Sequence, residues 1–553
     1  MSDRRKTTQG RAGKSAGTGA VYTVSITDLS NLGYGVGRLP ADGDAPGASD
    51  AGSGAAGKVI FVRGAVTGDT VETAVIKETA GYLVGRLVRV VTPSPLREPA
   101  QFCTAPEACG GCVFRHLTYA AELESKQRRV QSAFRQAGLA DVRVLPPLST
   151  GRTAGYRNKG MYPVQAGRNG MQAGFYAAKS HRLIPCADCA LQPPAFAGVV
   201  GTVCRFCDRE HIPAYDETIG AGILRHIYLR TTAAGEIMVC LVINADGLPG
   251  GRAAEARLVD CLLAEQPRTV SVLLNINRRN TNVVLGEQYR KLYGSGWIED
   301  TLCGLRFRLS AGSFYQVNRE GAELLYETAA RMAEVRGGES LWDLYCGAGT
   351  IGLSMLSPGR NARPAQVTGV EIVPEAVACA EQNARLNAEA GRIPPDAAHF
   401  FCADAGDAAA LFAAADTGAA PAPDIVIIDP PRKGTTPELI RELARRGVPR
   451  VVYVSCDPET LARDCALFCA SGYAVGEVQP VDMFPRTGHV ETVCLLSKLQ
   501  SKEHIEIEVK MDELDLTSAE SKATYEEIKA YVLEHTGLKV SHLYIAQVKQ
   551  KYG

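Results

Sequence analysis

One cysteine and one carboxylate in the second half of the chain have the residue types needed for covalent catalysis. Cys456 follows the apolar stretch 451–454 within Ser-Cys-Asp-Pro, and Glu491 ends the polar segment 483–491. A thiolate is a strong side-chain nucleophile, and a carboxylate can remove a proton from a substrate that the thiolate has activated. The pattern predicts Cys456 as nucleophile and Glu491 as general base. The structural alternatives are a buried small hydrophobe and a solvated loop acid.

A glycine-rich turn upstream predicts a nucleotide-type ligand. The stretch 340–345 has the pattern of a strand, the turn 346–352 leads into a helix, and a second strand ends at Glu371. Glycines let the backbone approach a ligand closely, and an acid at this strand end can bind ribose hydroxyls. Because the turn also satisfies G-x-G-x-x-G, a nicotinamide-dependent oxidoreductase is an alternative.

Two further features favour a methyl donor over a nicotinamide. Asp343 precedes the glycine-rich turn, and Asp429-Pro-Pro-Arg432 follows the apolar residues Ile427 and Ile428. A strand-end Asp-Pro-Pro places rigid backbone beside the methyl group of S-adenosylmethionine, and hydride transfer does not require it. We therefore expect an S-adenosylmethionine site at the ends of parallel strands.

Several elements must position these residues in a chain of 553 residues, which is long enough for several domains. Short alternating segments over 21–91 predict a small β-barrel of about five strands. Residues 117–137 look helical, 152–292 have an α+β pattern, and strand, turn and helix repeat beyond about residue 310. The stretch 41–57 is predicted to be a mobile hairpin tip, and 521–534 and 540–551 are predicted to be short helices.

Composition narrows the functional classes. Hydrophobic residues make up 46% of the chain, yet it has no apolar run of 18 residues and no signal-like start, so we expect a soluble cytoplasmic protein without a membrane partner. Acidic and basic residues balance at 60 each. Residues 151–200, however, carry six Lys/Arg against one acid, with four rings interleaved: Tyr156, Tyr162, Phe175 and Tyr176. This predicts an RNA-binding surface, the alternative being an Arg-rich solvated sheet.

Cysteines form a second cluster with ligand chemistry. Of the 17 cysteines, Cys103, Cys109 and Cys112 are closely spaced, and Cys186 and Cys189 follow later. Thiolates gathered by a Gly-Gly turn bind zinc or an iron–sulfur cluster, and their spacing alone leaves both open. A zinc site would use Cys109-x2-Cys112 and Cys186-x2-Cys189. The further pair Cys204 and Cys207 lies in a predicted helix and is interpreted as structural thiols.

From about residue 20 to 498 the chain resembles the RNA (uracil-5-)-methyltransferases, specifically the iron–sulfur branch that modifies 23S ribosomal RNA. The resemblance lies in five motifs: Ser313-Phe-Tyr-Gln-Val-Asn318, Asp343-Leu-Tyr-Cys-Gly-Ala-Gly-Thr350, Asp429-Pro-Pro-Arg-Lys-Gly434, Val454-Ser-Cys-Asp-Pro-Glu-Thr-Leu-Ala-Arg-Asp464 and Phe484-Pro-Arg-Thr-Gly-His-Val-Glu491.

The resemblance implies a multidomain α/β architecture. Its parts are a basic disordered arm (1–20), an OB-like TRAM barrel that binds RNA (21–92), a central α+β domain with an iron–sulfur cluster and an RNA-binding surface (93–309), a class I Rossmann-like methyltransferase domain (310–499) and a helical extension (500–553).

It also implies the site residues and the reaction. S-adenosyl-L-methionine would be bound by Gln316, Tyr345, Thr350, Glu371, Asp404 and Asp429, and a [4Fe-4S] cluster by Cys103, Cys109, Cys112 and Cys189, with Cys186 as an extra thiol. Cys456 would add to uracil C6, C5 would take the methyl group, and Glu491 would remove the C5 proton. The expected partner is 23S ribosomal RNA or its precursor, with no obligatory protein partner. The alternatives are a transfer-RNA uracil-5-methyltransferase and a noncatalytic RNA-binding or ribosome-assembly factor.

Overall fold

The structure is a computed structural model that describes residues 18–39, 57–499 except 101, 179, 408–410, 413–414 and 419, and residues 529–530. Contacts divide the chain into two units, Met1–Leu499 and Gln500–Gly553. The predicted arm up to residue 17, the predicted tip at 41–56 and the two predicted helices after 520, apart from 529–530, lie outside the described residues. None of the described helices is long and apolar enough to cross a membrane.

The first five strands close into a barrel in the order β1-β2-β3-β5-β4, which confirms the predicted small barrel. Alternate residues point inward, and Ile60, Val62 and Val71 are completely buried in its core. Gly37 is required where β2 passes β1, because a Cβ there would lie 2.4 Å from Val24 Cγ1. The strands are β1 (Val21–Leu29), β2 (Tyr34–Arg38), β3 (Val59–Arg63), β4 (Thr70–Glu78) and β5 (Tyr82–Thr92).

A long helix and a seven-stranded sheet follow the barrel, the sheet having the order β12-β11-β10-β9-β6-β7-β8. One sheet face packs on two helices in a single core cluster. Residues of the opposite face, including Tyr228 and Cys240, join the core of the C-terminal part. The elements are α1 (Tyr119–Gln136), β6 (Lys159–Gly167), β7 (Gly170–Tyr176), β8 (Leu183–Pro185), α2 (Pro194–Arg209), β9 (Leu224–Thr231), β10 (Ile237–Ile243), α3 (Gly251–Glu265), β11 (Thr269–Ile276) and β12 (Gln288–Gly294).

The C-terminal part begins with the hairpin β13-β14 and then forms a second seven-stranded sheet, in the order β17-β16-β15-β18-β19-β21-β20. The first five strands of this order run parallel, which confirms the repetition of strand, turn and helix predicted beyond about residue 310, and β21 runs antiparallel to both of its neighbours. The elements are β13 (Ile298–Leu302), β14 (Leu305–Leu309), α4 (Arg319–Ala333), β15 (Ser340–Leu344), α5 (Thr350–Met355), β16 (Gln366–Glu371), α6 (Pro374–Glu389), β17 (Ala398–Cys402), β18 (Ile425–Ile428), α7 (Pro437–Arg445), β19 (Arg450–Ser455), α8 (Pro458–Ala470), β20 (Tyr473–Val481) and β21 (Glu491–Lys498).

Candidate active site

The parallel strands of the C-terminal sheet end at one edge, where most of the predicted site residues lie. Tyr345 follows β15, Glu371 ends β16, Asp429 follows β18 and Cys456 follows β19. The registers align these ends, since Leu344 is paired with both Val370 and Ile428, and Ile428 with Tyr453. Open α/β sheets bind their ligands at this edge.

Cys456 and Glu491 face each other across two neighbouring antiparallel strands. Ser455, the last residue of β19, is paired with Thr492, and Cys456 and Glu491 are the adjacent residues on the two strands, close enough for the Glu491 carboxylate to raise the pKa of the Cys456 thiol after burial. The structure thus brings the predicted nucleophile and the predicted base together, although 35 residues separate them in sequence.

Capping interactions hold Cys456 at the start of helix α8. The Asp457 side chain accepts a hydrogen bond from the Thr460 backbone N–H at 3.0 Å and caps the helix. The Ser455 hydroxyl accepts another from the Asp457 N–H at 3.1 Å. These contacts fix the turn on both sides of Cys456, which is half-buried. Both cap residues are of the types that favour helix starts and tight turns.

Burial makes negative charge costly throughout this edge. Burial, and less strongly the Asp429 carboxylate, raises the pKa of Glu491 to about 8, with Arg432 opposing the shift. Burial also raises the pKa of Asp429 to about 7. Burial followed by the Glu491 and Asp429 carboxylates raises the pKa of the Cys456 thiol to about 11. Such a site favours a cationic ligand, because a positive charge stabilises the ionised form of every group in it.

The glycine-rich turn is held by two carboxylates. The Glu371 carboxylate accepts hydrogen bonds from the N–H groups of Gly347, at 3.1 Å, and Val373, at 3.0 Å. Asp343 accepts one from the Gly352 N–H at 2.7 Å, while its second oxygen is buried without a hydrogen-bond partner. Burial raises the pKa of Asp343 to about 7. The backbone of the turn is therefore fixed, and one oxygen of Asp343 remains available as a hydrogen-bond acceptor.

The remaining donor-site candidates differ in what their side chains offer. The Tyr345 hydroxyl lies 3.2 Å from that of Thr435, and the backbone of Tyr345 has a φ of 62°, which places it in a sharp turn at the strand end. The Thr350 hydroxyl bonds to buried Tyr326 at 2.9 Å, so it faces the core. Asp404 is exposed beyond β17 and accepts a hydrogen bond from the Gly406 N–H at 2.8 Å.

Gln316 lies in the loop between β14 and α4, which the central part holds in place. The Asn158 side chain donates to the Gln316 carbonyl at 2.9 Å, and the Asn158 N–H donates to the Val317 carbonyl at 2.7 Å. Asn318 caps α4 and donates to the Met483 carbonyl at 2.9 Å. The same loop therefore touches the segment that leads to Glu491.

A buried ion network on α1 supports the loop that ends at Glu491, and sequence reasoning missed it. Lys126 Nζ lies 2.7 Å from both a Glu122 oxygen and an Asp482 oxygen, and donates to the Phe484 carbonyl at 3.2 Å. Glu122 also accepts from the Arg486 N–H at 2.7 Å. The i,i+4 spacing of Glu122 and Lys126 is visible in the sequence, but their distant partners are not.

Replacing Lys126 by methionine is expected to destabilise the protein by about 3–5 kcal/mol, because two buried carboxylates would lose their cation. Lys126 is almost completely buried. Arg128→Met on the same helix is the matched control, since Arg128 is exposed and its distance to Glu124 is 4.0 Å. The free energy of unfolding from urea titration checks the difference. Equal values for the two variants would contradict the role of the network.

The early cysteines gather around one cavity of about 290 Å³. Three basic side chains, Arg115, Arg157 and Lys159, share its wall. Burial, with Arg230 and Arg157 nearby, lowers the pKa of Lys159 to about 8. As the side chains stand, no group of three or more His, Cys, Asp or Glu among the described residues is arranged to hold a metal ion. The cysteines that line the cavity are Cys103, Cys109, Cys112, Cys186 and Cys189.

The donor chemistry of this cavity nevertheless fits a thiolate-bound group. Its cysteines are all free thiols, and Cys112 lies close enough to Cys103, Cys109 and Cys189 for their charges to raise its pKa, although burial is the larger cause. Cations in the wall would offset the negative charge of several thiolates. Cys204 and Cys207 instead lie on the buried face of α2, in the central core.

The rings predicted to stack on bases are largely unavailable. Tyr156 and Tyr162 are buried, and the Tyr156 hydroxyl donates to the Pro485 carbonyl at 3.0 Å. Phe175 packs against Tyr162 with ring centroids 5.1 Å apart. Tyr162 points into the core of the central part, whereas its neighbour Met161, on the opposite face of the strand, is exposed. The exposed rings near the site are on other segments, Phe314 above all.

The C-terminal sheet is doubly wound, two carboxylates hold its glycine-rich turn, and its strand edge favours a cationic ligand. Together these features define an S-adenosylmethionine-dependent methyltransferase. Comparison with known proteins shows which family of methyltransferases this is. Residues 223–499 match the tRNA (Uracil-5-)-methyltransferase family model, and residues 17–88 match the TRAM domain. The chain belongs to this family of RNA uracil-5-methyltransferases.

Relatives and a solved structure agree with this assignment. The chain is 36% identical over 478 residues to an uncharacterized RNA methyltransferase of Halalkalibacterium halodurans, covering 86% of this chain and 96% of the relative. It is 34% identical over 483 residues to one of Clostridium acetobutylicum, covering 86% and 97%. The Pyrococcus abyssi tRNA (uracil-54, C5)-methyltransferase in complex with S-adenosyl-L-homocysteine is 25% identical, with a TM-score of 0.65 over 86% of this chain and 99% of that one.

Proposed function

We propose that the chain methylates C5 of a uridine in 23S ribosomal RNA, with Cys456 as nucleophile and Glu491 as general base. The observation that carries the proposal is the register of β19 and β21, which sets these two side chains opposite each other at the ligand-binding edge. Asp429 and the glycine turn lie at the same edge, where the methyl donor would bind. Gln316, Tyr345, Thr350, Glu371 and Asp404 complete the proposed donor site, Thr350 through its backbone.

The chemistry requires each residue type. Uracil C5 is a weak nucleophile until the Cys456 thiolate adds to C6 and places electron density on C5 and O4. C5 then attacks the methyl carbon of the sulfonium and displaces a neutral thioether, and Glu491 takes the C5 proton. The electron pair of that C–H bond restores the ring double bond and expels the Cys456 thiolate. Burial, and less strongly the Asp429 carboxylate, raises the pKa of Glu491 to about 8, so its ionised form is a stronger base than an ordinary carboxylate.

Formation of free methylated RNA is expected to accelerate as the pH rises from about 6 to about 9. Because the pKa of Glu491 is raised to about 8, the carboxylate required as base is scarce below that pH and accumulates above it. The raised pKa of Cys456 acts in the same direction, since the thiolate fraction also grows with pH. Single-turnover rates at saturating RNA and donor measure this dependence. A rate that falls over this range would contradict the assigned roles.

Cys103, Cys109, Cys112 and Cys189 are proposed to bind a [4Fe-4S] cluster, with Cys186 outside the ligand set. The shared cavity and its basic wall support a thiolate-bound group. Such a cluster would link the segment 103–112 to the strand region near Cys189. Anaerobic purification followed by iron, sulfide and zinc analysis tests this assignment: four irons per chain support it, and one zinc with no iron overturns it.

We favour ribosomal RNA because of the cysteines around the cavity, which the transfer-RNA enzymes of this family generally lack. The likeness to the Pyrococcus abyssi tRNA (uracil-54, C5)-methyltransferase makes transfer RNA the second candidate. Incubating the protein with ribosomal and transfer RNA in separate reactions with labelled S-adenosylmethionine, followed by nucleoside mapping, decides between them. Label in 5-methyluridine of 23S RNA supports the proposal, and label confined to transfer RNA replaces it with the second candidate.

A further inference from the structure

One arginine beside the active site contacts both segments that carry the proposed catalytic residues. Arg129 on α1 bonds to Glu459, three residues after Cys456, through Nε at 3.0 Å and Nη2 at 2.7 Å. Its third nitrogen, Nη1, donates at 2.9 Å to the carbonyl of Gly488, three residues before Glu491. A single planar guanidinium therefore joins the start of α8 to the loop that ends at Glu491.

Helix α1 holds this arginine in a fixed place. Val130, the next residue, lies in one buried core cluster with Leu461 of α8. Lys126 lies one turn earlier on the same face of α1 and donates to the Phe484 carbonyl at 3.2 Å. Successive turns of α1 therefore contact the loop 484–491 at its start and close to its end.

The β-barrel reaches the same ion pair. Asn31, in the turn between β1 and β2, donates from its side chain to the Glu459 carboxylate at 3.2 Å. Gly488 packs so closely on this turn that a Cβ on it would lie 2.8 Å from the Asn31 carbonyl oxygen. Gly488 is therefore in contact with both the barrel and Arg129, and a shift of its loop would break both contacts.

We propose that Arg129 and Glu459 are positioning residues, which fix the distance between Cys456 and Glu491 during methyl transfer. The inference rests on the proposed function and adds two residues that would act through the segments they hold. The two catalytic groups act on adjacent carbons of one ring, the thiolate at C6 and the carboxylate at C5. Each must stay within reach of its carbon or proton, and a displacement of about 1 Å can cost about 10²-fold in rate.

Arg129 is better suited to this role than to binding an RNA phosphate. Its side chain is 18% exposed, and all three of its nitrogens are bonded within the protein. A phosphate contact needs mainly a positive charge, which lysine also supplies. Holding a carboxylate and a carbonyl together needs the planar fork of arginine. The Arg129→Lys variant therefore distinguishes the two roles.

Single-turnover methylation, with saturating donor and the RNA that the wild type methylates, tests the proposal on the full chain. Arg129→Met is expected to slow formation of free methylated RNA by about 10²-fold, while the affinity for RNA stays near that of wild type. Arg129→Lys should keep most of this defect. Glu459→Ala should be similarly slow, and combining it with Arg129→Met should add little, because both residues act through one pair. The matched controls are Arg128→Met and Glu438→Ala, which remove exposed ion-pair partners on α1 and α7.

Hydrogen–deuterium exchange followed by mass spectrometry gives a second test, which needs no activity. Exchange of the segments 456–461 and 484–491 should be faster in Arg129→Met than in wild type, and unchanged in Arg128→Met. Equal exchange in Arg129→Met and wild type would overturn the inference.

A wild-type rate of methylation in Arg129→Met would also overturn the inference, as would a slower rate that excess RNA restores. Recovery of the wild-type rate in Arg129→Lys would contradict it too, because charge alone would then suffice. Failure of the wild-type chain to methylate any RNA would instead reject the proposed function, and the exchange experiment would still decide whether the ion pair holds the two segments.

Discussion

Cys456→Ala is expected to abolish methyl transfer, with a fall of about 10⁴-fold or more in the single-turnover rate. Without addition at C6, C5 keeps too little electron density to attack the sulfonium. Ser455, Asp457 and Val481, which flank Cys456 or pair with Glu491, carry no thiol that could replace the nucleophile. The same variant should bind RNA and donor with nearly unchanged affinity, since removing a thiol leaves the strand ends in place.

Transcripts that contain 5-fluorouridine make the missing bond visible. Fluorine at C5 cannot leave as a proton does, so the wild-type chain should remain attached to the RNA after methyl transfer. Denaturing gels with labelled RNA measure this attachment. Cys469→Ala is the matched control, because Cys469 is a half-buried thiol near the end of α8, away from the strand edge. Attachment by the Cys456→Ala variant, or its loss in the control, would contradict the assignment.

The position of Cys456 at a strand end was predictable from the sequence, but its neighbour was not. An apolar stretch followed by Ser-Cys-Asp-Pro predicts a strand that stops at the cysteine, and the structure has this strand, β19, ending at Ser455. The placement of Glu491 opposite Cys456 depends on β21 inserting antiparallel between β19 and β20. Local sequence does not encode such a long-range pairing, whose register follows from burial of both sheet faces.

The contrast between Tyr162 and Tyr289 shows the same limit for the RNA surface. Basic residues and rings interleaved over 151–200 suggested an exposed binding face, yet Tyr162 is completely buried. Its strand β6 lies inside the sheet, whereas β12 is at the edge, where side chains remain accessible. Strand order is a global property, so composition alone could not show which of these rings is exposed. The buried ion pair of Lys126 and Asp482 was not predictable from local sequence for the same reason.

Glu491→Gln is expected to trap the protein covalently on its RNA. Addition of Cys456 and methyl transfer do not need the carboxylate, but the C5 proton can no longer be removed, so the thiolate cannot leave. General base catalysis typically contributes about 10²–10⁴-fold, which sets the expected loss in turnover. The amide also lacks the negative charge that, after burial, raises the pKa of Cys456, so above about pH 8, where wild-type Glu491 is ionised, the variant should form the adduct faster.

Labelled donor and unlabelled RNA distinguish this trap from a simple loss of activity. The methyl label should migrate with the protein on denaturing gels in Glu491→Gln, and with free RNA in wild type. Glu477→Gln is the matched control, because Glu477 lies exposed on neighbouring β20 and pairs with Arg143 at the surface. Combining Cys456→Ala with Glu491→Gln should remove the adduct. Free methylated RNA released by Glu491→Gln at the wild-type rate would show that another group takes the proton.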